Sequence, residues 1–94
     1  MNAHPTPTVT PPDRAAEEVR RTIADRVAAE ITRRGRFKTA VAAAADISQA
    51  TFSRKINGHT DFTIPELVRV ADALEMDWRE FLPEPAPQAL DRAG

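Results

Sequence analysis

The sequence has no cysteine and no tyrosine, and its aromatic residues are limited to four phenylalanines and one tryptophan. Without cysteine the chain can form neither a disulfide bond nor a thiolate metal site. With so few aromatic side chains, the core of these 94 residues must be mostly aliphatic. No apolar run approaches the roughly 20 residues of a membrane span, and the first residues lack a signal-peptide pattern. We therefore expect one small, soluble, cytoplasmic domain with no membrane partner.

Sequence motifs of catalysis are also missing. The chain has two histidines, no glycine-rich loop that would cradle a phosphate, and no metal-ligand spacing such as H-x-x-x-H. Its aspartates and glutamates recur at spacings typical of solvated helix faces. We therefore expect no enzymatic activity, no metal, no cofactor and no small-molecule substrate.

The net charge of −1 conceals an uneven distribution. Residues 36–59 carry four cations and one anion, a net charge of +3, whereas residues 60–82 carry two cations and six anions, a net charge of −4. A basic middle segment can attract the phosphates of a nucleic acid even when the whole chain is nearly neutral. Ordinary surface charge accounts for the asymmetry equally well, so charge alone does not distinguish the two interpretations.

Apolar periodicity predicts five helices and no strand, which is an all-α fold. The first helix begins with Thr10 as its cap and Pro11 at its first position, and it ends near Arg34, before Gly35. At roughly 20 residues it is long for a small domain, so we expect its first two turns to extend beyond the core. Its apolar residues recur every four positions on one face: Val19, Ile23, Val27 and Ile31.

The two ends of the chain differ in composition from the middle. Residues 1–12 have little charge and no periodicity, and residues 83–94 are rich in proline. Both are predicted to be flexible tails, which leaves residues 13–82 as the folded domain.

Residues 40–58, AVAAAADISQATFSRKING, are the stretch around which the chain is organised. They predict helix 2 over about residues 39–45, a tight turn, and helix 3 over about residues 49–57. Asp46 stands in the turn, where a positive φ is expected and Asp tolerates it better than most residues. Ser48 is a favourable N-cap for helix 3. The apolar residues expected in the core here are Phe37, Ile47, Phe52 and Ile56.

Two capping signals mark the last helices. Thr63 and Glu66 have the spacing of a capping box and predict helix 4, while Asp77 can cap a short helix 5 that stops at Pro83. The apolar residues expected to pack from these helices are Leu67, Val70, Ala71, Leu74, Trp78, Phe81 and Leu82.

The segment AAAADISQATFSRKING, followed by FTIPELVRVADALEMDWREFL, resembles the lambda-repressor-like, or Xre-type, helix-turn-helix family. The resemblance covers residues 19–82. It departs from the family at two positions, because the family prefers Gly where Asp46 stands and an aliphatic residue where Lys55 stands. The implied fold is a compact five-helix lambda-repressor-like DNA-binding domain, here with an extended first helix and flexible termini.

The resemblance also implies which residues meet DNA. In this family the third helix enters the major groove and reads base edges. Carried over by position, the residues expected to contact bases are Gln49, Ala50, Ser53 and Arg54. Those expected to contact the DNA backbone are Lys38, Thr39, Ser48, Thr51, Lys55, Asn57, His59 and Thr60. Gln can pair bidentately with adenine and Arg with guanine, and a methyl group such as that of Ala suits thymine.

The implied function is sequence-specific binding of double-stranded DNA by a transcriptional regulator that acts as a repressor and is located in the cytoplasm with the nucleoid. Phage immunity repressors, bacterial regulators and antitoxins share the pattern, and phage immunity is the context that we favour. No separate dimerisation domain follows Leu82 in the sequence, so we expect a monomer, a weak homodimer through helix 1 or helices 4 and 5, or a fragment of a longer protein. The alternative is a protein-interaction module or antitoxin-like adaptor whose partner covers the same helices. The operator sequence does not follow from a single helix.

Overall fold

The structure is a computed structural model that describes residues 12–84, with side chains from residue 14 onward. Within this range the fold is all-helical and contains no strand. The elements are α1 (Pro12–Arg33), α2 (Lys38–Ala44), α3 (Gln49–Ile56), α4 (Ile64–Leu74) and a 3₁₀ helix (Trp78–Phe81). The predicted Thr10 cap and most of the two predicted tails, residues 1–11 and 85–94, lie outside the described residues.

Helix α1 joins the core only through its second half. Val27 and Ile31 are buried and Ile23 packs against the core, but Val19 is 43% exposed. The predicted apolar face is therefore confirmed for its last three residues, and the first turns extend past the core as expected. Gly35, with φ +66°, ends the helix.

Helices α2 and α3 are joined by the predicted tight turn. Asp46 has φ 60°, which confirms the left-handed conformation expected there. Ala42 and Ala45 are fully buried, and such small side chains allow neighbouring helices to approach closely. Helix α2 packs against α4 and α3, and α1 packs against α3 and the 3₁₀ helix.

The capping box of α4 is present as predicted. Thr63 Oγ1 accepts a hydrogen bond from the Glu66 N–H, and Glu66 Oε1 accepts one from the Thr63 N–H at 2.8 Å. The Asp77 carboxylate caps the following helix by accepting from the Arg79 N–H. That last helix is one turn of 3₁₀ helix, so the five predicted helices appear within residues 12–84 as four α-helices and a 3₁₀ turn.

Among the described residues, a single apolar core joins the four α-helices and the 3₁₀ helix. Its buried members are Val27, Ile31, Val41, Ala42, Ala45, Ile47, Phe52, Ile56, Leu67, Val70, Ala71, Leu74 and Phe81. The core predictions for helices 3 and 4 are confirmed, while Trp78 and Leu82 pack at its edge and remain partly exposed.

The prediction that Phe37 belongs to the core is wrong. Phe37 is 77% exposed. It occupies the N-cap position of α2 with an extended backbone, φ −104° and ψ 140°, so its side chain leaves the face that Val41 and Ala42 bury.

The four α-helices found in residues 12–84 end in the same way. A residue with positive φ follows each helix, and the next N–H reaches back to a carbonyl five residues earlier, which is the Schellman arrangement. Two of these residues, Gly35 and Gly58, are glycines, for which positive φ costs little; the other two, Asp46 and Glu75, are not.

Arginine side chains donate hydrogen bonds to carbonyls at the C-terminal ends of α2 and α4. Arg34 and Arg36 donate to the carbonyls of Leu74 and Ala73 at the end of α4, with distances of 2.9 and 2.7 Å. Arg69 donates to the Ala45 carbonyl at the end of α2, at 2.7 Å. Since carbonyls at a helix C-terminus lack intrahelical partners and carry the negative end of the dipole, cations stabilise them.

Candidate nucleic-acid interface

The rotation of α3 about its axis is fixed by its two buried residues. Phe52 and Ile56 face the core, and the Phe52 ring meets that of Phe62 edge to face with centroids 5.9 Å apart. The Ser48 hydroxyl accepts a hydrogen bond from the Thr51 N–H at 3.2 Å, which confirms Ser48 as the N-cap. One side of this eight-residue helix is therefore anchored, and the other side is left to the solvent.

The four residues predicted to contact bases all lie on the exposed side of α3: Gln49, Ala50, Ser53 and Arg54. They bring together an amide, a methyl group, a hydroxyl and a guanidinium. These are the groups that can recognise the donors, acceptors and methyl groups displayed in the major groove. The structure thus places the four predicted side chains on one solvent-exposed side of α3.

Gln49 is held in place by α2. Its Nε2 donates to the Thr39 carbonyl at 3.1 Å. A carboxamide has two N–H donors and one carbonyl acceptor, so one N–H and Oε1 remain available. These are the two groups that a bidentate contact with adenine requires.

Arg54 has no carboxylate within ion-pair distance among residues 14–84. Its guanidinium also donates no hydrogen bond to the part of the chain that the structure describes. A long side chain with five unused donors on an exposed helix can meet a guanine edge or a phosphate.

The residues predicted to meet the DNA backbone fall at the two ends of this surface. Lys38 and Thr39 are exposed at the start of α2, close to the start of α3 through the Gln49 contact. Asn57, His59 and Thr60 follow the end of α3, and Asn57 Nδ2 lies 3.5 Å from Ser53 Oγ. Ser48 is exposed and Thr51 is partly exposed.

Lys55 differs from the other predicted phosphate contacts. Its side chain is only 12% exposed, and its Nζ lies 2.6 Å from Oε1 of Glu66, whose side chain is 15% exposed. Partial burial by itself would raise the pKa of the Glu66 carboxyl. Hydrogen bonds from Lys55 and Thr63, together with the charge of Lys55, outweigh the effect of burial, so the pKa lies below its usual value. The ammonium group thus has a partner within the chain that competes with any phosphate.

The basic segment found in the sequence is therefore partly engaged within the fold. Arg36 is bound to the end of α4 and Lys55 to Glu66, which leaves Lys38 and Arg54 as its exposed cations without an ion-pair partner among residues 14–84. Arg21, which is not among the residues predicted to contact DNA, lies beside the end of α3. Sequence spacing could not reveal it, because Arg21 and Gly58 lie on separate elements.

Comparisons with known proteins leave the family undetermined: the chain matches no protein-family model, no curated protein and no solved structure. Within residues 12–84, none of the helices is both long and apolar enough to cross a membrane. In the same range no cluster of three His, Asp or Glu residues could hold a metal ion.

Proposed function

We propose that this protein binds double-stranded DNA sequence-specifically, with α3 in the major groove, and acts as a transcriptional repressor. The observation that carries the proposal is the division of α3 into a buried side, Phe52 and Ile56, and an exposed side bearing four groups suited to base edges. The sequence resemblance to the lambda-repressor-like helix-turn-helix family supports the same function.

The dimensions of α3 suit the groove. Eight residues at 1.5 Å each give a rod about 12 Å long. The major groove of B-DNA is about 12 Å wide, so a helix placed across it has its ends near the two phosphate backbones. In that position Lys38 and Thr39 lie toward one backbone, and Asn57, His59 and Thr60 toward the other. Contacts of this kind position the helix, and the exposed residues of α3 read the bases.

A selection from a random duplex library tests the proposal directly. The wild-type chain is expected to enrich a defined sequence, and that duplex is expected to bind more tightly than a scrambled one at two salt concentrations. Sedimentation of the complex then distinguishes a monomer from a weak homodimer. Recovery of no preferred sequence, with equal binding of the selected and scrambled duplexes, would reject sequence-specific recognition.

A protein-interaction module, such as an antitoxin-like adaptor, is the second candidate, and Phe37 is the observation that favours it. This ring is 77% exposed at the start of α2, beside the surface assigned to DNA. An exposed aromatic side chain is a common anchor in protein interfaces. Phe37→Ser should leave DNA binding unchanged if α3 reads DNA without this ring, whereas under the second candidate it should abolish association with the partner protein.

A further inference from the structure

The extended first helix places a cation next to the end of α3. A Cβ atom built on Gly58 would lie 3.5 Å from Cζ of Arg21, so the guanidinium occupies the space in front of the Gly58 backbone. Gly58 has φ +81° and directly follows the cap of α3. The Arg21 side chain therefore crosses from α1 to the turn that leads into His59 and Thr60.

Arg20 and Arg21 are neighbours on α1, but their side chains have different surroundings. Arg20 is bound to Asp61, with Nε 2.6 Å from Oδ1, and this contact raises the pKa of its guanidinium. Arg21 has no carboxylate within ion-pair distance in the described part of the chain, although Glu17 and Glu18 precede it by four and three residues. Nε and Nη2 of Arg21 lie 3.7 Å from the Cβ built on Gly58, at the end of α3.

We propose that Arg21 binds a DNA phosphate beside the C-terminal end of α3, which makes α1 a third DNA-contacting element. The inference rests on the proposed function. A helix of about 12 Å across a groove of similar width brings its C-terminal end to one phosphate backbone. A guanidinium lying against that end meets a phosphate oxygen with paired N–H donors, the geometry for which arginine is suited.

The surroundings of Arg21 define the direction from which the phosphate approaches. A surface depression of about 610 Å³ opens between α1 and Gly58, and its lining includes Arg14 and Arg21 but also Glu17 and Glu18. The two carboxylates repel a phosphate placed over the helix, so the phosphate binds on the Gly58 side. Glu17→Gln combined with Glu18→Gln removes this repulsion and is expected to tighten binding of every duplex.

The salt dependence of binding tests the inference. Each neutralised phosphate contributes about 0.9 to the slope of log K against log salt on duplex DNA. Arg21→Gln is expected to lower the magnitude of that slope by about one and to weaken all sequences alike, whereas Arg21→Lys keeps the charge and retains the slope. Arg79→Gln is the matched control, because it removes the same charge from the 3₁₀ helix, which packs on α4 and α1.

The outcomes separate this inference from the proposed function. If the wild-type chain binds no duplex, the proposed function fails and the assignment of Arg21 with it. If the wild-type chain binds a selected duplex and Arg21→Gln gives the same slope as Arg79→Gln, the Arg21 contact alone is overturned. Thermal melting of each variant confirms that the exposed substitutions leave the fold intact.

Discussion

The side chain of Gln49 donates a hydrogen bond to the backbone carbonyl of Thr39, with 3.1 Å between the nitrogen and the oxygen. This contact joins the first residue of α3 to the first turn of α2. A residue that is oriented before it meets a base loses less conformational entropy on binding than one that is free to rotate. The side chain of Gln49 is therefore prepared for one orientation of its amide.

Gln49→Ala is expected to remove the preference for one base pair in the selected duplex. The loss should be on the order of 10–100-fold in discrimination, since a bidentate contact is worth about 1–3 kcal/mol. Stability should fall by no more than about 1 kcal/mol, because the variant loses one solvent-exposed hydrogen bond, that to the Thr39 carbonyl. Binding to four duplexes that differ only at that base pair measures the effect. Equal discrimination by the variant and the wild type would show that Gln49 does not contact a base.

Arg54→Ala is expected to relax the preference at a different base pair by a similar factor. The guanidinium has no ion-pair partner among residues 14–84, so its removal breaks no such contact within the described chain. Arg79→Ala is the charge-matched control and should preserve selectivity. A repeat of the library selection with both variants measures the effect, and an unchanged consensus for Arg54→Ala would contradict the assignment.

Lys55→Ala is expected to destabilise the fold by about 1–3 kcal/mol, because it leaves a mostly buried Glu66 carboxylate without its charged partner. Urea denaturation measures the change. The double variant Lys55→Met with Glu66→Gln should recover part of the stability, since it leaves no unpaired charge. If Lys55→Ala instead melts like the wild type but lowers the salt slope of DNA binding, Lys55 contacts phosphate and the ion pair contributes little.

The same ion pair predicts a dependence of stability on pH. The folded-state pKa of Glu66 lies below its ordinary value of 4.5, so the pair stabilises the fold above that pH and the stabilisation is lost as the pH falls through the folded-state pKa. The difference in unfolding free energy between the wild type and Glu66→Gln should be present at neutral pH and shrink as the pH falls below 4.5 and through the folded-state pKa of Glu66. A difference that stays constant over this range would show that the carboxylate charge is irrelevant.

Glu75→Gly is expected to stabilise the protein. Glu75 has φ 60°, and a left-handed conformation costs a residue with a Cβ roughly 1–2 kcal/mol, whereas glycine adopts it freely. After the greater entropy of glycine in the unfolded chain is subtracted, we expect a net gain of about 0.5–1 kcal/mol. Asp46→Gly should gain less, because Asp tolerates this region better than Glu.

The control for these substitutions is Ala29→Gly, which places glycine at an exposed position inside α1. It should cost about 1 kcal/mol, since no positive φ is relieved there. Thermal or urea unfolding of Glu75→Gly, Asp46→Gly and Ala29→Gly measures the order of their stabilities. A loss of stability in Glu75→Gly would contradict the strain assigned to that helix end.

Local signals in the sequence predicted much of this fold. Ser48, Thr63 and Asp77 cap the helices at which they were placed, and Asp46 has the left-handed conformation that its turn required. The buried side of α3 followed from the spacing of Phe52 and Ile56. These features depend on residues within four positions of one another, so the chain order alone contains them.

The features that were missed depend on residues far apart in the sequence. Phe37 was expected in the core but is exposed. Its exposure depends on how α2 is rotated against α4 and on which other aromatic rings pack in the core. The contacts of Lys55 with Glu66 and of Arg21 with Gly58 join separate elements, so no local spacing indicates them. For the candidate interface, the residue types could be predicted, whereas the partners that restrain them required the tertiary structure.

The arginines bound to helix carbonyls have a consequence for how a DNA-binding chain of this kind would search a genome. Affinity for unrelated duplex comes almost wholly from phosphate neutralisation. Arg34, Arg36 and Arg69 direct donors inward to the ends of α2 and α4, and the chain as a whole carries a net charge of −1. If the chain binds DNA as proposed, its visits to random sequence would be brief, and occupancy of the correct site would depend on the few contacts that discriminate between bases.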